Sequence, residues 1–458
     1  MVRTADGDLR GVEHDDIQSW LGVPYAAPPV DDLRWRPPES PEPWDGVRAA
    51  DEYGPACLQG VPPTAGTTED CLFLNVHRPD NDAEKLPVMV WIHGGAFREG
   101  QSGAPVYNSP AFVQRGVVLV TINYRLGRLG FFAHPALEQD VANFGLLDQV
   151  AALRWVQDNI TGFGGDPGNV TIFGGSAGGM SVNALMGMPQ ADGLYDRAIS
   201  QSGLGRERPR TFVDAETSGE LLFPGVDATA LRDLDGAEVL QPTFDLLEGD
   251  APILDAVLPA NVAETFTNGD EADVPYLVGT TDAEFPDATL QAIGRSPTDF
   301  RAAFTGSARS AVEAVYGSAV ELDRHLASDA LFTEPARLLA TSHADDAPTY
   351  RFLFTIATPE EVSTVGGARH VAEMPFVFDA VPGTDEVAQE LADQIADYWV
   401  AFATTGVPAV DGLPQWPTAE DGALLELSVS GPQPVSTDSW DARLDAVQQI
   451  YDGLADLG

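Results

Sequence analysis

The chain has 458 residues, with 70 Asp or Glu against 25 Lys or Arg, so its formal net charge is −45. An acidic surface of this density excludes nucleic acid and anionic membranes as expected partners. Salt near molar concentration screens such repulsion, so the composition predicts adaptation to high salt, with simple acidic solubility as the alternative. The sequence has no membrane-spanning apolar run and no visible secretion signal. We expect a cytoplasmic protein, or a secreted one if a leader was removed.

Hydrophobic patterning, taken in chain order, predicts an α/β fold. Residues 1–60 are rich in Pro and turn residues and predict short antiparallel strands and coil. The apolar runs LPVMVWI, GVVLVTI and VTIF then predict buried strands, and FGLLDQVAALRWVQDN predicts a long helix between them. VPYLVGTT and TYRFLF predict two further strands, and residues 385–405 a helix. We expect a single domain over 1–458, with insertions at about 205–265 (irregular) and 295–345 (helical).

The stretch GGSAGG places Ser176 between two pairs of glycines, directly after the predicted strand VTIF and before an expected helix. This strand–turn–helix context fits the G-x-S-x-G nucleophile elbow, in which a tight turn exposes one serine hydroxyl at a helix N-terminus. The pattern therefore predicts that Ser176 is a catalytic nucleophile.

A serine nucleophile needs a histidine base and a carboxylate. In proteins with this turn, the acid follows the serine in the chain and the histidine follows the acid. His370 lies in a glycine-rich loop and is the favoured base. His325 and His343 lie in polar helical segments and are expected to face solvent. Asp282 and Glu284 both follow a buried strand, and the residues alone do not distinguish between them.

The segment HGGAF after the strand LPVMVWI predicts a loop whose backbone N–H groups stabilise an oxyanion. His93, at its start, is expected to be structural. Cys57 and Cys71 are the only cysteines, and they could form a disulfide or remain two buried thiols. Two cysteines make a poor zinc site, so we expect no metal and no cofactor.

Taken together, these motifs resemble the type-B carboxylesterase family. GVPYAAPPVDDLRWRPPESPEPWDG, EDCLFLNV, WIHGGAF, NYRLGRLGF, FGGDPGNVTIFGGSAGG, AISQSG and HVAEMPFVF occur in the order that this family uses. The resemblance implies an α/β-hydrolase fold, in which helices flank a central, mostly parallel twisted sheet and the insertions form the pocket wall. It also implies that Ser176, Glu284 and His370 are the catalytic triad.

The resemblance assigns further roles. It implies that Gly95, Ala96 and Ala177 supply the oxyanion N–H groups, and that Ser202 lies just behind the triad. It also implies a Cys57–Cys71 disulfide and structural ion pairs, which are Arg34 with Glu69 and Arg125 with Asp148. The chain departs from the family in three ways. Gly175 stands where a Glu usually precedes the nucleophile, Phe285 stands where Gly commonly follows the acid, and the 205–265 segment is short.

The expected activity is hydrolysis of small-molecule carboxylic esters through an acyl-enzyme, by a monomer or homodimer. One alternative is a hydrolase of the same family specialised for a bulky or aromatic ester, an amide or a carbamate. A remote alternative is a non-catalytic scaffold like the neuroligins, which share the fold but typically lose the nucleophile.

Overall fold

A computed structural model describes residues 1–60, 66–240, 251–285, 306–435 and 438–455. The chain forms two compact units. The first contains Met1–Ile199 and Arg208–Asn261, and the second contains Ser200–Glu207 and Val262–Gly458. Parts of both predicted insertions, 241–250 and 295–305, lie outside the described residues.

The strands of the first unit surround a parallel centre. β9 pairs in parallel with β10 and β11, whereas β8 pairs antiparallel with β10 and β4, so the order is β3-β4-β8-β10-β9-β11. Small sheets of β1-β2-β5 and β6-β7 accompany it. The strands are β1 (Val2–Arg3), β2 (Asp8–Arg10), β3 (Val12–His14), β4 (Ile17–Pro24), β5 (Val47–Ala49), β6 (Ala56–Cys57), β7 (Thr67–Thr68), β8 (Phe73–Pro79), β9 (Leu86–Ile92), β10 (Val118–Ile122) and β11 (Gly165–Gly175).

Helices connect these strands, and the predicted long helix and the turn into α4 are both present. The α-helices of this unit are α1 (Ala111–Gln114), α2 (Gly127–Gly130), α3 (Phe144–Asn159), α4 (Ala177–Met186), α5 (Phe212–Leu222), α6 (Ala228–Arg232) and α7 (Gly236–Val239). The 3₁₀ turns are Asp31–Leu33, Pro105–Asn108, Pro135–Leu137, Ile160–Phe163 and Pro189–Ala191. In the described part of 205–265, a segment predicted to be irregular, α5, α6 and α7 are helical.

In the second unit, β13 and β15 flank β14 in parallel, and β16 closes the edge antiparallel to β15. The chain passes between the units inside β12 (Arg197–Gln201). The other strands are β13 (Tyr276–Thr281), β14 (Thr349–Phe354), β15 (Leu424–Ser428) and β16 (Gly431–Val435). The α-helices are α8 (Val262–Asn268), α9 (Gly306–Tyr316), α10 (Ala319–Ser328), α11 (Glu334–His343), α12 (Pro359–Thr364), α13 (Met374–Val377), α14 (Glu386–Thr405) and α15 (Asp438–Ala455). A π-helical turn covers Asp329–Thr333, and a 3₁₀ turn covers Ala419–Asp421.

Burial explains why the apolar runs form strands. All five residues of β10 and all six of β13 are buried, as expected of central parallel strands covered on both faces. In β9, Val88 to Ile92 are fully buried, and Trp91 packs edge-on to Phe173 of β11 at 4.8 Å. Within the described residues, no helix is long and apolar enough to cross a membrane.

One disulfide and two ion pairs hold loops of the first unit together. Cys57 and Cys71 form a disulfide, as the resemblance predicted. The Arg34 guanidinium donates to both carboxylate oxygens of Glu69, at 2.8 and 2.5 Å. The Arg125 guanidinium donates to both oxygens of the fully buried Asp148, at 2.8 and 2.7 Å. Both predicted ion pairs are present, and bidentate geometry of this kind compensates much of the cost of burying the charges.

Candidate active site

Ser176 stands at a sharp turn between β11 and α4. Its backbone angles are φ 57° and ψ −124°, a conformation that non-glycine residues rarely adopt. Its carbonyl accepts from the Met180 N–H at 2.9 Å, so the helix begins directly after the turn. This strained strand-to-helix turn is the geometry of a nucleophile elbow, and strain of this kind clusters at functional sites.

Close backbone contacts explain the flanking glycines. A Cβ on Gly178 would lie 2.0 Å from the Ile92 carbonyl oxygen of β9, and a Cβ on Gly174 would lie 2.5 Å from the Gly178 backbone. Real Cβ atoms do not approach backbone so closely. The elbow therefore depends on glycine at both positions. Gly175 is buried at the end of β11.

The HGGAF loop touches this elbow. A Cβ on Gly94 would lie 2.6 Å from the Gly175 carbonyl oxygen and 3.1 Å from the Ser176 Cβ. The next three residues all have positive φ, with 112° at Gly95, 54° at Ala96 and 58° at Phe97. The structure thus brings the loop that carries Gly95 and Ala96 against the turn that carries Ser176 and Ala177. The Ala177 N–H belongs to the first turn of α4, where N–H groups lack intrahelical partners.

His93 braces this loop. Its ring is buried, lies 2.8 Å through Nδ1 from the Gly94 carbonyl oxygen, and stacks on Tyr124 at 4.5 Å. The Tyr124 hydroxyl donates to the His93 carbonyl oxygen at 2.8 Å. Burial lowers the pKa of His93 to about 4, so the ring is neutral at pH 7. These contacts agree with the structural role expected of His93.

The second unit joins Glu284 to His370. The fully buried Glu284 carboxylate accepts from the Thr281 N–H at 2.8 Å through one oxygen and contacts His370 Nδ1 through the other. Burial lowers the pKa of the His370 imidazole, but the charge and hydrogen bond of Glu284, helped by the charge of Glu373, outweigh burial and raise it. The pair can therefore hold a proton on the imidazole and stabilise it.

Asp282, the other candidate acid, has a different partner. Its carboxylate accepts from the Ala368 N–H at 2.6 Å, and the adjacent Ala283 forms a parallel bridge with Arg369. Burial raises the pKa of Asp282 to about 7. Asp282 thus holds the backbone of the loop that leads to His370, while Glu284 contacts the imidazole itself.

A further carboxyl group, which the sequence motifs did not predict, lies close to the Glu284–His370 pair. Glu373 is fully buried, and one of its oxygens accepts from the Gln201 amide at 3.2 Å. The Gln201 amide oxygen in turn accepts from the Trp399 indole N–H at 3.2 Å. Burial and the Glu284 charge raise the pKa of Glu373 to about 7. Its position three residues after His370, in the quoted stretch HVAEMPFVF, was the available sequence signal.

The prediction that His325 and His343 face solvent is wrong, because both side chains are buried. His343 Nδ1 lies 2.9 Å from a Glu271 carboxylate oxygen and Nε2 lies 2.8 Å from the Val274 carbonyl oxygen. Burial lowers the pKa of His343, but these hydrogen bonds outweigh burial and raise it. His325 lies 3.1 Å through Nδ1 from the Asp282 carbonyl oxygen, and its pKa is lowered, chiefly by burial. Both histidines serve the packing of the second unit.

Ser202 is also fully buried in the second unit, with φ 51° and its N–H donating to the Gly279 carbonyl oxygen at 2.8 Å. Within the part of the chain that the structure describes, its hydroxyl has no hydrogen-bond partner. No group of three or more His, Cys, Asp or Glu among the described residues could hold a metal ion.

A strand, a sharp serine turn and a helix, with a buried acid that contacts a histidine after a later strand, are the features that define the α/β-hydrolases. Comparison with known proteins agrees. The sequence model of the Carboxylesterase family matches residues 1–211 and 312–439. The para-nitrobenzyl esterase of Bacillus subtilis (strain 168) is 35% identical over 455 residues, which cover 91% of this chain and 92% of that protein.

Two further similarities extend the match. The fumonisin B1 esterase of Sphingopyxis macrogoltabida is 36% identical over 463 residues, covering 91% of this chain and 84% of that protein. A solved structure of a PNB esterase superimposes with a TM-score of 0.84 at 33% identity, covering 97% of this chain and 99% of the other. This chain belongs to the carboxylesterase family. It has the α/β-hydrolase fold and is a carboxylic ester hydrolase.

Proposed function

We propose that the chain hydrolyses small-molecule carboxylic esters through an acyl-enzyme on Ser176. His370 takes the serine proton as the hydroxyl oxygen attacks the ester carbonyl carbon, and Glu284 stabilises the resulting imidazolium. The N–H groups of Gly95, Ala96 and Ala177 stabilise the oxyanion. His370 then protonates the leaving alcohol, and it activates the water that releases the acid and restores Ser176.

The observation that carries this proposal is the strained backbone of Ser176 at the start of α4. A residue is held in this conformation only where its surroundings enforce it, and here three glycine contacts do so. The Glu284–His370 contact supports the second role, because Glu284 engages Nδ1 and Nε2 is then the ring nitrogen that exchanges protons.

The decisive experiment replaces the nucleophile. Ser176→Ala should lower kcat for a p-nitrophenyl ester by at least about 10³-fold, because no other group forms the acyl-enzyme. A phosphonate probe should label wild-type Ser176 and fail to label the variant. Ser430→Ala, in the exposed turn between β15 and β16, is the matched control and should keep wild-type rates. Near wild-type turnover by Ser176→Ala would refute the assignment, and absence of label on the wild type would favour a scaffold.

The class of ester needs a substrate panel. One relative is named for a para-nitrobenzyl ester and another for fumonisin B1, so the panel should contain both compounds beside p-nitrophenyl esters of increasing chain length. We expect the p-nitrophenyl esters of small acids to be hydrolysed. A rate for a bulky ester, an amide or a carbamate that exceeds these by tenfold would instead favour the specialised hydrolase.

We also propose that the chain is adapted to high salt. The formal charge of −45 supports this, because screening of mutual repulsion stabilises the compact state. Activity and Tm should both rise between low and molar NaCl. Highest activity and Tm without added salt would leave only the alternative, acidity for solubility.

A further inference from the structure

Two phenylalanine rings pack against the His370 imidazole. The Phe285 ring centroid lies 5.3 Å from the imidazole centroid at an interplanar angle of 74°, and the Phe332 centroid lies 5.1 Å away at 53°. The two phenyl rings also contact each other edge-on at 4.9 Å. The three rings thus form one mutually packed cluster, with separations typical of favourable aromatic pairs.

The backbone of each phenylalanine is fixed separately. Phe285 directly follows Glu284, and its N–H donates to the Ser328 hydroxyl at 3.1 Å. Phe332 is 2% exposed and belongs to the π-helical turn Asp329–Thr333, which follows Ser328. One short stretch, Ser328–Phe332, therefore touches both the residue after the acid and the imidazole. Single π-turns of this kind occur frequently at functional sites.

A buried charge cluster anchors the π-turn. Asp329 is 1% exposed, and one of its oxygens accepts from Arg443 Nε at 2.9 Å, from Arg443 Nη2 at 2.6 Å and from the Tyr316 hydroxyl at 2.6 Å. The Arg443 guanidinium also lies 4.7 Å from the Tyr316 ring centroid. Helices α9 and α15 thus fix the start of the turn that carries Phe332.

The Glu284 contact at Nδ1 does not by itself fix the imidazole. A hydrogen bond at Nδ1 does not set the tilt of the imidazole plane, and the ring needs one orientation for Nε2 to exchange protons with the serine. Misplacement of about 1 Å can cost a hundredfold in rate. Packed rings on two sides remove this freedom without adding charge.

We propose that Phe285 and Phe332 are positioning residues that hold the His370 imidazole in its reactive orientation. This inference rests on the proposed function, since it assigns His370 as the base. Phe285 stands where the resembled family commonly has Gly.

The test compares ring removal at the cluster with ring removal elsewhere. Phe285→Leu and Phe332→Leu keep apolar bulk but remove the ring, and Phe285→Tyr keeps the ring. The control is Phe163→Leu in the first unit, because Phe163 is fully buried and packs edge-on to Trp20 at 4.9 Å. We expect kcat for a p-nitrophenyl ester to fall about tenfold in both cluster Leu variants, with KM within about twofold of wild type. Phe285→Tyr should keep at least half of the wild-type kcat.

A spectroscopic readout separates positioning from general destabilisation. The proton resonance of His370 Nδ1–H should be sharp in the wild type and broadened in both cluster variants, and unchanged in Phe163→Leu even where Tm falls. If Ser176→Ala is inactive while the cluster variants match Phe163→Leu in kcat and in this resonance, positioning is overturned and the proposed function stands. If the wild type hydrolyses no ester, the proposed function fails. In that case an unbroadened resonance still overturns the cluster's role.

Discussion

The surroundings of Ser176 are formed mainly by backbone atoms, whereas those of His370 are formed mainly by side chains. Around Ser176 the backbone determines the geometry. Glycines, which have no Cβ, let β9, β11 and α4 approach to distances that a Cβ would forbid. Around His370 the contacts are made by side chains, many of them titratable. Glu284 contacts the imidazole, and the Glu373 charge acts on it. Asp282 accepts from the loop that leads to His370, and His325 lies against the Asp282 carbonyl oxygen.

Because of this difference, we expect different changes to disrupt the two regions. The serine turn is set by steric exclusion, so its geometry should be insensitive to pH but intolerant of a single methyl group. The histidine loop is set by charges and rings, so it should tolerate isosteric changes structurally while its chemistry responds to pH. Three substitutions sharpen or break this contrast.

Glu284→Gln should have the largest effect. The amide keeps the shape of the carboxylate and can still accept from the Thr281 N–H, but it cannot stabilise an imidazolium. Loss of the corresponding charge in a serine-hydrolase triad lowers kcat about 10⁴-fold. We expect this loss in kcat for a p-nitrophenyl ester with a small change in Tm. Glu420→Gln, on the surface, is the control, and a comparable loss in both variants would contradict the assignment of Glu284.

Gly178→Ala should have the next largest effect. Its Cβ would meet the Ile92 carbonyl oxygen at 2.0 Å, so β9 and α4 must move apart and displace the elbow. We expect kcat to fall about 10²-fold, together with a lower Tm, at every pH tested. Gly168→Ala, whose Cβ would have only an ordinary 3.5 Å contact, should leave both quantities unchanged. Wild-type activity in Gly178→Ala would show that the elbow does not need this close approach.

Glu373→Gln should have the smallest effect on rate and a distinct effect on pH dependence. The raised pKa of His370 places the acid limb of kcat/KM above the ordinary imidazole value of about 6.5. Because the Glu373 charge helps to raise that pKa, its removal should move the limb to lower pH. The limb should stay in place in the Glu420→Gln control. A shift to higher pH would contradict the electrostatic account.

Glu373→Gln also tests how the free energy of unfolding depends on pH. Burial raises the pKa of Glu373 from 4.5 to about 7, so ionisation opposes folding. Wild-type stability from this group is present below pH 4.5 and is lost as pH rises through about 7. Glu373→Gln should remove this loss, which is on the order of 3 kcal/mol, in unfolding measurements at pH 5 and pH 8. Equal pH dependence in both proteins would show that Glu373 does not titrate in this window.

Much of the first unit follows from its sequence, because its determinants are local. Apolar runs predicted β9, β10 and β11, and the glycine pattern around Ser176 predicted the elbow. The partner of His370 was not predictable in this way. Asp282 and Glu284 are two residues apart, and only the resemblance favoured the one that contacts the imidazole.

Burial of polar residues was the main failure of sequence reasoning. His343 lies in a polar helical segment, yet its ring is buried because Glu271, 72 positions earlier in the chain, supplies a partner. Phe332 likewise reaches His370 only because a π-turn rotates the chain between α10 and α11. Such contacts join distant positions and leave no periodic signal, so they require the folded structure.

The route of the chain through β12 has a consequence for biosynthesis. Residues Ser200–Glu207 belong to the second unit, but Arg208–Asn261, which emerge later from the ribosome, complete the first. A nascent chain that ends before residue 261 therefore contains neither unit whole. The residues of the serine-bearing unit are therefore all present only once more than half of the polypeptide has been synthesised.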